Sequence, residues 1–112
     1  LDIHDYSLVL KRSKSFLNTL SPWGIVSPRY YENFFSKSLI FSENSNYLRE
    51  FNKNNHIVTF NNVNEFKDKF NFYMINENQR KHIVQKAYDY ALKNHSWSFR
   101  IQSLINDFKK II

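Results

Sequence analysis

The sequence predicts an α/β domain with a parallel sheet of about three strands, flanked by helices and followed by a run of C-terminal helices. Three short apolar segments, at residues 15–20, 39–41 and 56–60, have the length of strands and end in polar or turn-forming residues. Helical patterns separate these segments, and strands that alternate with helices are joined by right-handed crossovers into a parallel sheet. From about residue 63 onward, apolar residues recur at helical spacing to the end of the chain.

The first predicted helix–strand step opens the chain. Apolar residues at helical spacing predict a short helix over residues 5–14, and the strand at 15–20 runs into a Pro/Gly turn at residues 21–24. Ser27 and Pro28 are typical of a helix start. The Ser hydroxyl can accept from an early backbone N–H, and Pro has no N–H to leave unpaired.

The second predicted helix has an aromatic face and extends to about residue 38. The residues of that face are Tyr30, Tyr31, Phe34 and Phe35. The strand at 39–41 follows and is closed by the polar run 42–46. A brief helix over 47–53 is then broken by an asparagine pair before the third strand.

Three further helices are predicted in the C-terminal half of the chain. In the first we expect the aromatic residues Phe66, Phe70 and Tyr73 to be core, and a joint at residues 76–78 precedes the second. The third begins near Ser96 or Ser98. The three stripes are Val63, Phe66, Phe70, Tyr73 and Met74; then Ile83, Val84, Ala87, Tyr90 and Ala91; and finally Ile101, Leu104, Ile105, Phe108 and Ile111.

Length and composition exclude several classes of protein. The 112 residues suffice for one domain at most, and a start at Leu1 instead of Met suggests a fragment, a processed product or a shortened chain. The absence of Cys excludes disulfides, thiolate metal sites and thiol catalysis, and it fits a reducing compartment, so we expect a cytoplasmic protein. No two of the four His residues are spaced i,i+4, and no metal site is predicted. Neither a secretory signal nor an apolar run of membrane-spanning length is present.

The charge balance favours anionic partners. The net charge is +6, which suits nucleic acid, acidic lipid headgroups or phosphorylated small molecules. The basic residues are dispersed, whereas an RNA-binding tail would concentrate them. A non-catalytic basic α/β module that binds nucleic acid or a protein partner therefore remains an alternative to an enzyme.

The loop after the first strand and the helix that it enters form the main candidate site. Ligands of open parallel sheets bind beyond the carboxyl ends of the strands. A helix N-terminus capped by Ser27 suits phosphate, and Arg29 adds donors for a phosphate oxygen. Glu32 is an acceptor for two hydroxyl groups, such as those of a ribose. The alternative interpretation of the spacing is a surface salt bridge between Arg29 and Glu32.

These residues belong to a stretch that resembles a motif of GT-B glycosyltransferases. From Pro22 to Glu43, a Gly24-containing loop leads to Arg29-x-x-Glu32 and then to a short apolar strand. The stretch is most similar to the glycosyl transferases group 1 type and its spore-maturation (CgeB-like) branch. The passages Asn76–Arg80 and His95–Arg100 also resemble the family in order, so the resemblance covers roughly residues 6–112.

The resemblance implies a fold and a role for the chain. It implies the C-terminal part of a Rossmann-like domain that binds a nucleotide-sugar donor, in a two-domain enzyme whose N-terminal domain would be a partner from the same protein. The position of Glu32 holds the ribose hydroxyls, and the loop and helix start with Gly24, Ser27 and Arg29 receive the diphosphate. Glu43 and Asn44 are further candidates.

The resemblance also implies what the enzyme needs. We expect no cofactor other than the donor substrate itself, no bound metal and no nucleic-acid partner, while peripheral membrane contact is left open. The isolated chain should be inactive, because the active site lies between two domains. In this family the closing helix crosses to the N-terminal domain, so at least two of its last large residues should be exposed. These residues are Ile105, Phe108, Ile111 and Ile112. Lys37 stands where the family usually has the Gly that ends the second helix.

Overall fold

The computed structural model describes residues 3–19, 26, 28–94 and 97–111. Strands and helices alternate through the first half of this region, and three helices fill the second half. In chain order, the elements are α1 (Ile3–Arg12), β1 (Ser15–Asn18), α2 (Pro28–Phe35), β2 (Leu39–Glu43), α3 (Arg49–Lys53), β3 (Val58–Phe60), α4 (Val63–Ile75), α5 (Glu77–Asn94) and α6 (Trp97–Ile111). A single 3₁₀ turn, Asn46–Leu48, precedes α3.

The three strands form a parallel sheet in the order β1-β2-β3. Phe16 lies opposite Ile40 in the first pair of strands, and Phe41 lies opposite Val58 in the second. The predicted fold class and the parallel arrangement are therefore confirmed. Since the strands are parallel, their carboxyl ends share one edge of the sheet, where the candidate site was expected.

Helices cover both faces of β2, because neighbouring residues of a strand point to opposite sides. The Ile40 face packs against α2, α3 and α5, and the Phe41 face packs against α4 and α5. The buried residues on the first side are Tyr30, Phe34, Ile40, Leu48, Phe51, Ile57, Ala87 and Ala91. Those on the second side are Leu39, Phe41, Val58 and Val84.

Helix α4 is less buried than its apolar stripe predicts. Its rings do pack on the sheet, with the centroids of Phe66 and Phe70 at 5.5 and 5.7 Å from that of Phe41. However, none of its residues is buried, and the core prediction was wrong for Phe70, which is 36% exposed. The Phe70 ring packs against the rings of Phe41 and Phe66 and leaves the rest of its surface to solvent. Val63, the first residue of α4, is 66% exposed.

Helix α6 leaves its apolar stripe uncovered. Ile105 is 42% exposed and Phe108 is 56% exposed, and Ile101 and Leu104 are also exposed. The expectation that at least two large residues at the end of the chain are exposed is therefore confirmed. The side chain of Ile111 and the whole of Ile112 lie outside the described residues.

Helices α2 and α3 end in the same way and so return the chain to the sheet. At the end of α2, the Ser38 N–H donates to the Asn33 carbonyl at 3.1 Å, and the Lys37 N–H donates to the Phe34 carbonyl at 3.2 Å. This pair of bonds is a Schellman motif, which requires a left-handed residue. Lys37 takes that conformation with φ 59°, and Asn55 takes it after α3 with φ 57°. The geometry explains why the resembling sequences carry Gly at the position of Lys37.

Replacing Lys37 by Gly should raise the free energy of unfolding. A left-handed conformation costs a non-glycine residue about 1–2 kcal/mol. Part of the gain is offset, because the Lys37 ammonium lies 4.5 Å from the Tyr88 ring centroid. A contact of this kind contributes about 0.5–1 kcal/mol. We expect a net increase of about 0.5 kcal/mol in urea unfolding of the full-length protein.

Asn55→Gly is the matched control for this prediction, because Asn already enters the left-handed region readily. It should change stability by less than Lys37→Gly. A Lys37→Gly protein that is less stable than wild type would show that the contact with Tyr88 outweighs the backbone strain.

His56 should make stability depend on pH. The imidazole is buried, its ring lies 4.5 Å from that of Tyr90, and its Nδ1 has no hydrogen-bond partner within the described structure. Burial, and secondarily the positive charge of Lys86, lower the pKa of His56 from its ordinary value. The unfolded chain therefore binds a proton near pH 6.5 while the folded chain resists it. The contribution of neutral His56 to the free energy of unfolding is complete above about pH 6.5. It is lost as the pH falls toward the lower pKa that His56 has in the folded protein.

His56→Phe should flatten the stability profile between about pH 7 and 5, measured by urea unfolding at each pH. The matched control is His82→Phe, which replaces an exposed imidazole on α5 and should leave the profile as it is in wild type. An unchanged slope in His56→Phe would mean that other groups carry the pH dependence.

Candidate functional site

The candidate site lies where α1 and the start of α2 meet at the carboxyl edge of the sheet. Helix α1 ends at Arg12, shortly before the first residue of β1. Its C-terminal end therefore lies at the amino edge of the sheet, opposite the edge that holds the candidate site. The Ser38 hydroxyl donates to the carbonyls of Leu10 and Ser13 at 3.3 and 2.8 Å, which holds that end beside the start of β2. The N-terminal half of α1, with Tyr6, consequently lies toward α2.

Tyr6 and Glu32 are joined across this junction, although they are 26 residues apart. The Tyr6 hydroxyl donates to Oε2 of Glu32 at 2.5 Å. This hydrogen bond is the main cause that raises the pKa of Tyr6, with smaller contributions from burial and from the negative charge of Glu32, and the charge of Arg29 opposes them. The phenol is therefore held protonated, as a donor to the carboxylate.

A cavity of about 290 Å³ lies at the same place and is lined by Tyr6, Pro28, Arg29 and Glu32. Within the described part of the chain, no ion pair joins Arg29 to Glu32, so the predicted alternative of a surface salt bridge is not formed. Oε1 of Glu32 accepts no hydrogen bond from a described residue. The cavity thus presents a guanidinium and a carboxylate oxygen, neither of which is paired with another described residue.

The other predicted residues of the first loop cannot be placed beside this cavity. Gly24 and Ser27 lie outside the described residues, and their roles stay predictions. Arg29 is the second residue of α2, in the turn whose backbone N–H groups have no helical partner. The structure therefore brings Arg29 and Glu32 together, and it adds Tyr6 to them.

Glu43 lies in a second cavity, of about 190 Å³, at the same edge but on the Phe41 face of the sheet. Its lining residues are Leu17, Asn18, Thr19, Glu43, Phe60, Val63 and Phe66. The backbone N–H of Asn44 donates to the Phe60 carbonyl at 3.0 Å and so extends the pairing of β2 with β3. The structure thus separates these two candidates from the cavity at Glu32.

The sequence model that represents the glycosyl transferase-like family matches residues 1–106. The chain belongs to the glycosyl transferase-like family. No curated protein and no solved structure matches it significantly. The family match confirms the resemblance to the C-terminal part of glycosyltransferases, while the CgeB-like branch stays a prediction.

In this glycosyl transferase-like chain, two buried polar contacts fasten α2 to the sheet beside the cavity. The Tyr30 hydroxyl and the Ser42 hydroxyl are 2.8 Å apart, and Nδ2 of Asn18 donates to Oδ1 of Asn33 at 3.0 Å. All four side chains are buried. Because Tyr30 directly follows Arg29 and Asn33 directly follows Glu32 along α2, these contacts fix the helix that carries the candidate residues.

Sequence reasoning missed Tyr6 and both of these contacts. Asn18 and Ser42 each follow directly on apolar strand residues, and Tyr30 and Asn33 are spaced i,i+3 on the aromatic face of α2. Polar residues at core positions need hydrogen-bond partners, so this coincidence was an available signal. Tyr6 gave no such signal, because only the packing of α1 beside α2 reveals its partner.

Across residues 3–19, 26, 28–94 and 97–111, no group of three His, Asp or Glu residues is arranged to hold a metal ion. Among the helices described, none has the length and apolar character needed to cross a membrane.

Proposed function

We propose that this chain is the C-terminal, donor-binding part of a glycosyltransferase that transfers a sugar from a nucleoside-diphosphate sugar to an acceptor. The observation that carries the proposal is the cavity at the carboxyl edge, where the Glu32 carboxylate and the Arg29 guanidinium face one ligand-sized space. Membership of the family supports glycosyl transfer in general, and the position of the cavity agrees with the binding rule of open parallel sheets.

Glu32 and Arg29 have complementary roles in this proposal. Oε1 of Glu32 accepts hydrogen bonds from the ribose hydroxyls, and charged acceptors make stronger hydrogen bonds than neutral ones. Arg29 and the free N–H groups of α2 bind the diphosphate, together with Gly24 and Ser27 as the resemblance implies. When the bond from the sugar to the diphosphate breaks, negative charge grows on the diphosphate, and a guanidinium and a helix N-terminus stabilise that charge.

A second domain completes the proposed site. The cavity of about 290 Å³ is at the small end of the range for small-molecule sites, which is about 300–1,000 Å³. It can hold part of a nucleotide sugar, and the rest of the donor and the acceptor would lie against an N-terminal domain of the same protein. We therefore propose that the isolated chain does not turn over. Glu43 and Asn44, on the other face of the edge, are further candidates for donor contacts.

Calorimetry on the full-length protein tests the proposal. UDP, GDP and ADP are titrated separately, and each is then tested in competition with its own sugar conjugates. We expect one nucleoside diphosphate to bind and to be displaced by a sugar conjugate. If none of the three binds, while a nucleic-acid oligonucleotide does, the chain is a basic binding module instead.

A further inference from the structure

We propose that Tyr6 is a positioning residue, whose hydroxyl orients the Glu32 carboxylate so that one oxygen faces the ribose of the donor. This inference rests on the proposed function. It extends the site to α1, a helix to which the sequence assigned no role. Tyr6 and Glu32 both line the cavity of about 290 Å³, and their hydrogen bond of 2.5 Å joins α1 to α2.

The hydrogen bond gives the carboxylate one orientation. An exposed glutamate has three rotatable side-chain bonds, and a ligand must otherwise immobilise them at a cost in entropy. Tyr6 removes most of that freedom before the ligand arrives, because it holds Oε2 from a different helix. Oε1 is then the oxygen that remains available for the ribose.

A phenol suits this role better than a cation does. A paired Lys or Arg would neutralise Glu32 and would compete with the hydroxyl groups of the ligand, whereas a neutral phenol leaves the negative charge in place. Arg29 lies one turn away on the same helix, yet it forms no ion pair with Glu32 in the described structure. The Tyr6 phenol is neutral at neutral pH, and the hydrogen bond to Glu32 raises its pKa further, so the hydroxyl stays a donor to Glu32.

We therefore expect Tyr6 to affect nucleotide binding only through the contact between Glu32 and the ribose. The test uses the full-length protein with the tightest binder among UDP, GDP and ADP, and with the 2′,3′-dideoxy form of the same nucleotide. Tyr6→Phe should weaken binding of the ribonucleotide about fivefold to tenfold and binding of the dideoxy form less than about twofold. In turnover assays the KM for the donor should rise while kcat stays within about twofold.

Three further comparisons complete the experiment. Tyr88→Phe is the matched control, since it removes the hydroxyl of a tyrosine that lies on α5 and outside the cavity, and it should change neither affinity. Tyr6→Leu also lacks the hydroxyl and should show the same selective loss, which guards against a folding defect specific to Tyr6→Phe. In a Glu32→Gln background, Tyr6→Phe should have a much smaller effect, because the charged acceptor is already gone.

Three other results would overturn the role of Tyr6, the last of them together with the proposed function. Equal weakening of both nucleotides by Tyr6→Phe would show that Tyr6 supports the fold and not the carboxylate. Unchanged ribonucleotide binding in Tyr6→Phe, with a loss in Glu32→Gln, would overturn the role of Tyr6 and leave the proposed function standing. Unchanged binding in both variants would overturn the two together.

Discussion

Replacing Glu32 by alanine in the full-length protein is expected to weaken binding of the nucleoside diphosphate by about 10- to 150-fold. A hydrogen bond to a charged group contributes about 1.5–3 kcal/mol, and this range converts directly to that loss. The loss should appear for the ribonucleotide and be nearly absent for its 2′,3′-dideoxy form, because Glu32 is assigned to the ribose and not to the diphosphate.

Asp68→Ala is the matched control for Glu32→Ala. Asp68 is an exposed carboxylate on α4, which packs on the Phe41 face of the sheet, away from the α1–α2 cavity. Both variants change the net charge equally, so a general electrostatic effect on an anionic ligand would appear in both. Equal affinities of wild type and Glu32→Ala in calorimetry would remove Glu32 from the site.

Replacing Phe34 by alanine should cost about 3–5 kcal/mol of the free energy of unfolding, as truncation of a buried Phe generally does. Phe34 is 1% exposed, and its ring lies 5.1 Å from that of Phe51 and 6.4 Å from that of His56. The truncation leaves a cavity between α2, α3 and the loop before β3. Domains are commonly stable by only about 5–15 kcal/mol, so this is a large fraction of the total.

Phe35→Ala offers a control at the next position of the same helix. Phe35 is 39% exposed and makes one edge-on ring contact, with Tyr88 at 6.4 Å. Its removal should cost about 1 kcal/mol or less. Urea unfolding of both variants checks the difference. Similar losses would mean that the aromatic face of α2 is buried more evenly than the structure shows.

The sheet could be predicted from the sequence because each of its strands can be recognised from a few neighbouring residues. Each strand is a short apolar run, each is followed by a helical pattern, and the handedness of the crossovers leaves one parallel arrangement. Ile40 and Phe41 illustrate the point, since adjacent apolar residues in a strand imply helices on both faces. The apolar stripe of α4 was a weaker guide, because periodicity does not tell how completely each ring is covered. Phe70 packs against Phe41 and is nevertheless 36% exposed.

Only part of the candidate site could be predicted. Arg29 and Glu32 stand one turn apart on a helix with a recognisable start, so local spacing was enough to propose them. The partner of Glu32 was not within reach of such reasoning, because Tyr6 is 26 residues away and the contact depends on the angle between α1 and α2. Asn18 and Asn33 are 15 residues apart and meet only when α2 packs on β1, so the sequence could signal that each needs a partner but not which partner it has.

A crystal structure of the full-length protein with a bound nucleoside diphosphate would show directly whether Glu32 binds the ribose. We predict that the ribose hydroxyls lie at about 2.5–3.0 Å from Oε1 of Glu32. Oε2 should still be hydrogen-bonded to the Tyr6 hydroxyl, and the diphosphate should lie beside Arg29. A nucleotide that binds the protein without contacting Glu32 would contradict it.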